Sequence, residues 1–151
     1  MTTRKTFWAA ALAALAALAP ACGGPLSVHF RGVMPINENE RKESNYVTAR
    51  LYYLKDDARF NQATVDKLWT EAEKVLGDDL VGSKEAKVQP GKADDPYVST
   101  ELGALPDSVR FIGILALFKK EDDKGPRKMA LPKGEAGTVI RFTGYHIEKE
   151  K

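Results

Sequence analysis

Few side chains in this sequence have the type and spacing that catalytic or metal chemistry requires. Cys22 is the single cysteine of the chain, and a thiolate is both a nucleophile and a metal ligand. The two histidines, His29 and His146, lie far apart, each within a strand-like pattern. Nucleophilic catalysis needs a base within reach of the nucleophile, and a zinc site needs several ligands at short spacing. The sequence therefore predicts neither a catalytic centre nor a zinc site, and we expect no enzyme activity.

Four pairs of aspartates are the other candidates for chemistry. A calcium-binding loop needs ligands at alternating positions and a glutamate further along, whereas these pairs stand at the ends of predicted elements. Residues 82–92, GSKEAKVQPGK, lack the spacing of a phosphate-binding loop and the Ser or Thr after its lysine. We therefore predict solvated turns and no bound metal or cofactor. The pairs are Asp56–Asp57, Asp78–Asp79, Asp94–Asp95 and Asp122–Asp123.

The residues before Cys22 indicate a different role for its sulfur. Two basic residues precede twelve apolar ones, Phe7 to Leu18, and a bilayer span needs about 20. Such a short run is typical of a secretory signal peptide. The small residues Ala19 to Ala21 followed by cysteine are typical of a bacterial lipoprotein signal. We expect removal of residues 1–21 and a covalent lipid on Cys22. The alternative is an ordinary signal peptide cut nearby, which would leave a free thiol.

A lipid on Cys22 would hold the protein at a membrane. Each buried methylene contributes about 0.8 kcal/mol, and several acyl chains on one residue give a stable anchor. Residues 22–25 would be a short tether, and residues 26–151 would form one domain. No aspartate follows the cysteine, which in lipoprotein sorting favours the outer membrane. Without the signal peptide the charges of the chain balance, so nucleic acid is not an expected partner.

The hydropathy pattern beyond the tether is mostly that of β-strands. Apolar and polar residues alternate from 26 to 31 and more weakly to 36, and residues 46–54 are rich in β-branched and aromatic side chains. Residues 108–120 have apolar residues at both odd and even positions, as expected for a central strand covered on both faces. About seven strands predict a sandwich or a barrel. The remaining extended segments are predicted at 86–92, 97–102, 127–131 and 138–148.

One stretch has a helical period instead. Its apolar residues recur at intervals of three and four, which predicts one helix from about Thr64 to Leu76. Asn61 or Thr64 can cap its start, and Gly77 stands where a left-handed C-cap belongs. Trp69 lies on the apolar stripe, so we expect it to pack against the core. The apolar positions are Val65, Leu68, Trp69, Ala72, Val75 and Leu76.

Seven short motifs in this order resemble those of the TssJ (SciN-like) outer-membrane lipoproteins of the bacterial type VI secretion system. The resemblance runs from the signal peptide almost to the C-terminus. It departs after the predicted hairpin, where the family often has Trp-Arg and this chain has Pro126–Arg127. The matching residues are Cys22; Asn37; Arg50, Leu51, Tyr52 and Leu54; Phe60, Ala63 and Leu68; Leu76, Gly77, Asp79 and Leu80; Val88, Pro90 and Gly91; and Ile112 to Phe118.

The resemblance implies an all-β fold, a two-sheet transthyretin-like sandwich with one helical insertion after the second strand. It also implies a structural adaptor on the periplasmic face of the outer membrane, with no cofactor besides the lipid on Cys22 and no substrate. Its partner would be the periplasmic domain of the inner-membrane protein TssM. In the family, the loop between the first two strands is a main contact, and here that loop spans about residues 34–45.

The residues of this loop divide into an apolar start and a charged remainder. The first three would be apolar anchors, and the charged side chains would form a polar rim. The alternative is that Met34 and Ile36 merely extend the first strand and that the charges belong to a solvated loop. The predicted contact residues are Met34, Pro35, Ile36, Asn37, Glu38, Asn39, Glu40, Arg41 and Lys42.

Two other classes of function compete with the adaptor. A small-molecule or sugar-binding periplasmic lipoprotein would need a concave site with converging aromatic and polar groups, and the tyrosines are not grouped in that way. A periplasmic hydrolase would need a catalytic constellation, and the sequence offers none.

Overall fold

The computed structural model describes residues 25–151, which form two four-stranded β-sheets. The predicted signal peptide, Cys22 and most of the tether lie outside the described residues. The first sheet has the order β4-β1-β7-β8 and the second the order β3-β2-β5-β6. The strands are β1 Leu26–Ile36, β2 Val47–Leu54, β3 Leu80–Val88, β4 Val98–Gly103, β5 Phe111–Leu117, β6 Lys128–Pro132, β7 Val139–Gly144 and β8 His146–Lys149.

The core lies between the two sheets and follows from the alternation in the strands. Val28 and Phe30 of β1 point inwards, as do Ile140 and Phe142 of the neighbouring strand β7. The rings of Phe30 and Phe142 meet edge to face with their centroids 5.3 Å apart, a favourable geometry for aromatic pairs. β1 and β7 run parallel, whereas the other paired strands are antiparallel.

β5 is buried on both faces, as its apolar sequence predicts. Ile112, Ile114 and Ala116 face the core between the sheets. Leu115 faces the opposite way, into a second apolar cluster beneath the helical segment that follows β2. Gly113 lies on that same face, where the ring of Phe60 would come within 2.8 Å of an added Cβ atom.

The helical segment consists of three short helices where the sequence predicts one. α1 spans Ala58–Gln62, α2 spans Val65–Thr70 and α3 spans Ala72–Leu76. Thr64 caps α2 as predicted, accepting a hydrogen bond from the backbone N–H of Lys67 at 3.3 Å. The break falls at Glu71, whose φ of −133° and ψ of 32° are not helical. The hydroxyl of Thr70 donates to the carbonyl of Asp66 at 2.7 Å, a contact that bends helices.

The helical segment is attached to the second sheet by Arg50 of β2. Its guanidinium lies 3.8 Å from the ring centroid of Trp69 and donates to the Trp69 carbonyl at 2.8 Å. It also donates to Glu85 of β3 at 2.6 and 3.0 Å. The hydroxyl of buried Tyr52 donates to the carbonyl of Leu68 at 2.6 Å. Trp69 is therefore half-buried beneath an arginine and packs at the edge of the core.

The C-terminal segment is two strands, not the single strand predicted over 138–148. β7 ends at Gly144, which has a φ of +54°, and the chain turns there and returns as β8. Glycine adopts a positive φ more readily than other residues, which favours a turn at this position. The described part of the chain thus has eight strands where the sequence pattern indicates about seven.

The two ends of the sandwich differ in the segments they carry. The distal end, where β1 finishes, carries the β1–β2 loop (37–46), the loop after β5 (118–127) and the β7–β8 turn. The N-terminal end carries the start of β1, the β4–β5 loop (104–110) and the β6–β7 loop (133–138). Leu26 pairs with Gly103 there. Within residues 25–151, no helix is long and apolar enough to cross a membrane.

Candidate partner-binding loop

The last residues of β1 leave its regular alternation and bring two apolar side chains to the surface. The pairing with β7 shifts between Val33 and Ile36, and the Met34–Pro35 peptide bond is cis. The N–H of Met34 donates to the carbonyl of Gly91 at 2.9 Å, outside the β1–β7 ladder. Met34 is 50% exposed and Pro35 is exposed as well. Both are accessible to a partner.

Ile36 and Asn37, also predicted as contact residues, are buried. Ile36 is 0% exposed and belongs to the core between the sheets, and Asn37 is 4% exposed. Their side chains present no surface to a partner. Ile36 has the other role considered for it, which is to extend the first strand.

Asn37 instead holds the loop in place through hydrogen bonds made from its buried position. Its side-chain amide donates to the carbonyl of Tyr46 at 2.9 Å, and its oxygen accepts from the N–H of Lys119 at 2.9 Å. Its own N–H donates to the carbonyl of Gly144 at 2.8 Å. A φ of +46° suits asparagine better than most other residues. Asn37 thus connects the β1–β2 loop to both neighbouring segments of the distal end.

The tip of the loop is a compact turn built around Asn39. Its side-chain oxygen accepts from the N–H groups of Arg41 at 2.9 Å and of Glu43 at 3.0 Å. Its amide donates to the carboxylate of Glu43 at 2.6 Å, and Lys42 completes the turn with a φ of +65°. Such side-chain bonds to nearby backbone are typical of tight turns. The tip therefore has a defined shape.

The charged side chains of the loop are arranged around this turn. Glu40, Arg41 and Lys42 are exposed, whereas Glu38 and Asn39 are half-buried. The ammonium of Lys42 is 4.0 Å from the carboxylate of Glu38, and exposed pairs at such distances contribute little stability. These charges are therefore available to a partner of complementary charge.

Neighbouring segments contribute residues that the sequence pattern does not single out. An open cleft lies between the loop and Lys119–Lys120. The hydroxyl of Tyr145 donates to the carbonyl of Glu38 at 3.2 Å. Tyr46, at the end of the loop, is 47% exposed and lies beside a second cleft with Leu117 and Phe118. An aromatic residue directly after a charged loop is the one signal that points to Tyr46, while Lys119, Lys120 and Tyr145 are placed there by topology alone.

The histidines have structural contacts. His29 bonds through Nδ1 to the hydroxyl of Ser99 at 2.8 Å and lies 4.5 Å from the ring of Tyr97. His146 is 9% exposed, and its Nδ1 lies 3.4 Å from the carboxylate of Asp122. Across residues 25–151, no group of three or more His, Cys, Asp or Glu side chains is placed to hold a metal ion.

The family profile of type VI secretion lipoproteins, described as VasD, EvfM and TssJ, matches residues 25–144. This chain belongs to that family. The type VI secretion lipoproteins are a structural family. The match spans β1 to β7 and the helical segment, and so includes the candidate loop and the loop after β5.

Solved structures agree with this membership. A structure of a "type VI membrane complex" matches with a TM-score of 0.72 and 25% identity, covering 84% of this chain and 98% of that one. A chain of the structure titled "T6SS protein TssM C-terminal domain (869-1107) from EAEC" gives 0.69 and 24%, with the same coverages. The lipoprotein TssJ1 from Pseudomonas aeruginosa gives 0.62 and 22%, covering 85% and 98%. The two-sheet sandwich of this secretion lipoprotein is thus the predicted TssJ-like fold. No curated protein matches the chain significantly.

Proposed function

We propose that this protein is anchored to the periplasmic face of the outer membrane by a lipid on Cys22 and holds a TssM-like periplasmic domain through its β1–β2 loop. The observation that carries the proposal is the family membership together with an exposed, internally braced loop at the end of the sandwich opposite the N-terminus. Similar structures titled as a type VI membrane complex and as the TssM C-terminal domain support a TssM-like partner.

The contact surface that the structure favours is narrower than the sequence predicts. Met34 and Pro35 supply its apolar part, with the exposed Tyr46 on the far side of the loop. Glu40, Arg41 and Lys42 supply a charged rim, which steers association and selects the partner more than it adds affinity. Because Asn37 and Asn39 already fix the backbone, binding costs less conformational entropy than ordering a free loop would.

Binding of the soluble 23–151 fragment to a TssM-like periplasmic domain tests the proposal. We expect Met34→Asp to weaken binding at least tenfold, roughly the effect of losing an interface anchor, with the circular dichroism spectrum unchanged. Val98→Asp is the matched control, because Val98 is 64% exposed but lies in the edge strand β4. Equal affinities of Met34→Asp and the unmodified fragment would contradict the loop assignment.

Labelling with radioactive palmitate tests the anchor separately. Full-length protein should incorporate the label and fractionate with outer membranes, whereas Cys22→Ser should do neither. Absence of label from the full-length protein would exclude a lipid on Cys22, and label that persists in Cys22→Ser would place the acyl chain on another residue.

A further inference from the structure

The position of the tether relative to the fold limits how the domain can lie on a membrane. Cys22 is four residues before Leu26, the first residue of β1. Four residues span at most about 14 Å even when fully extended. If Cys22 is acylated, as proposed above, then Leu26 stays within that distance of the lipid surface. The N-terminal end of the sandwich is therefore the part of the domain that the tether keeps near the bilayer.

The other segments of this end follow from hydrogen bonds and register. Leu26 pairs with Gly103, where the β4–β5 loop begins. Arg110, at the end of that loop, donates its N–H to the carbonyl of Leu54 at 2.8 Å, and the N–H of Lys133 donates to the carbonyl of Arg110 at 2.7 Å. The β6–β7 loop, which starts at Lys133, is thus beside the β4–β5 loop. The two loops, the start of β1 and the end of β8, whose Lys149 pairs with Ile140, form one face.

Three glycines of this face have no neighbouring atoms that would exclude a side chain. An added Cβ atom would meet nothing within 4 Å at Gly103, Gly134 or Gly137. At each of the other seven glycines in residues 25–151, some atom lies within that distance. Gly103 is explained by its φ of +72°, but Gly134 and Gly137 face open space without positive φ. Small side chains at these tips allow a close approach to a flat surface.

The chemical character of the face suits lipid headgroups and not an apolar partner. Its charged residues include Arg110, Lys133, Asp107 and Glu135, so the face carries both positive and negative side chains. The large apolar side chains that are exposed among residues 25–151, namely Met34, Tyr46, Tyr97 and Val98, all lie elsewhere. A face with mixed charges and no exposed large apolar side chain has no group that would insert into the bilayer. The lipid tether must therefore hold this face at the membrane.

We propose that the β4–β5 and β6–β7 loops rest against the headgroups of the bilayer, so that β1 stands away from the membrane and presents the β1–β2 loop to the periplasm. β1 is 11 residues long, and at about 3.3 Å per residue its far end lies roughly 30 Å from its start. The proposal rests on acylation of Cys22, and it adds which surface meets the lipid.

Fluorescence quenching by a nitroxide on the headgroup of phosphatidylcholine vesicles tests this orientation. The thiol of lipidated Cys22 is blocked as a thioether, so an introduced cysteine is labelled alone. A fluorophore at Gly137→Cys or Gly134→Cys should be quenched at least about threefold more than one at Glu40→Cys, since the positions differ by the length of β1. Sixteen Gly/Ser residues inserted after Gly24 should remove most of that difference, because the tether then reaches about 25 Å.

The outcomes separate the two proposals. If the full-length protein does not float with the vesicles, the lipid anchor is wrong and this inference falls with it. If it floats but the label at position 40 is quenched as strongly as that at 137, the anchor stands and the orientation is wrong. Unchanged quenching at 137 after the Gly/Ser insertion would also overturn the inference, because the short tether would then not be the cause of the quenching.

Discussion

The side-chain oxygen of Asn37 accepts a hydrogen bond from the backbone N–H of Lys119 at 2.9 Å, joining the β1–β2 loop to the loop after β5. The amide of the same side chain reaches Tyr46 on the other side of the loop. Asn37, which is one of the family motif residues, therefore shapes the proposed contact surface without belonging to it.

Asn37→Ala should lower the free energy of unfolding by about 2–3 kcal/mol, because it removes two buried side-chain hydrogen bonds and strains a left-handed backbone. Asn37→Gly keeps the backbone conformation and should cost roughly 1 kcal/mol less. Urea unfolding of the 23–151 fragment measures both. Equal losses for the two variants would show that the backbone conformation contributes nothing. Asn45→Ala, which removes one exposed hydrogen bond to the carbonyl of Glu43, is the control.

Gly113→Ala should destabilise the domain by about 1–3 kcal/mol, since the new methyl group would overlap the ring of Phe60. Phe60 is fully buried against Tyr52 and has little room to move. The matched control is Gly134→Ala, where nothing lies within 4 Å and a change within about 0.5 kcal/mol is expected. Thermal unfolding followed by circular dichroism compares the two, and equal midpoints would contradict the packing described for β5.

Arg50→Lys should loosen the attachment of the helical segment to β2 and cost about 1–2 kcal/mol, because lysine cannot both stack on Trp69 and bond to Glu85. Trp69 is the one tryptophan in residues 23–151, so its fluorescence reports on this segment alone. We expect a red-shifted emission maximum in the folded variant. Lys74→Arg, on an exposed side chain of α3, should leave both emission and stability unchanged.

Asp122 gives the stability of the distal end a pH dependence. Burial alone would raise the pKa of its carboxyl group, but hydrogen bonds from His146 and from the N–H groups of Lys124 and Tyr145 outweigh burial and lower that pKa. A carboxylate with a lowered pKa stabilises the fold above its unfolded pKa, near 3.9. That contribution is lost as the pH falls through the lower, folded value.

Asp122→Asn should therefore be less stable than the unmodified domain at pH 7, and the difference should shrink as the pH is lowered below about 4. Urea midpoints measured from pH 7 to pH 3 test this. A difference that stays constant, or one that grows in acid, would mean that the carboxylate charge plays no part. Asp123→Asn is the neighbouring control.

The periodicity of the sequence accounts for most of the individual strands but not for their arrangement. Alternation predicts β1 and β2, and the two apolar faces of residues 111–117 predict a strand covered on both sides. The parallel pairing of β1 with β7 joins segments about 110 residues apart and has no local signal. The single helix predicted over 64–76 breaks at Glu71, because the apolar stripe indicates which face is buried but not whether the backbone is continuous.

For the candidate loop too, the sequence predicts one part of the structure and not the other. Its charge and its place after the first strand predict an exposed segment, which the structure has. Strict alternation from Phe30 would turn Met34 inwards together with Ile36, but the shift in pairing after Val33 turns Met34 outwards and leaves Ile36 in the core. The role of Asn37 depends on Lys119 and Gly144, which reach it only through the folding of distant segments.

The position of β1 between β4 and β7 has a mechanical consequence if the protein is anchored at Cys22 and bound at the β1–β2 loop, as proposed above. Tension between Cys22 and the β1–β2 loop would run along the axis of β1. The hydrogen bonds of both flanking ladders lie across that axis, so pulling would load them together in shear and would not unzip them one by one. A strand placed in this way resists extraction until many bonds fail at once.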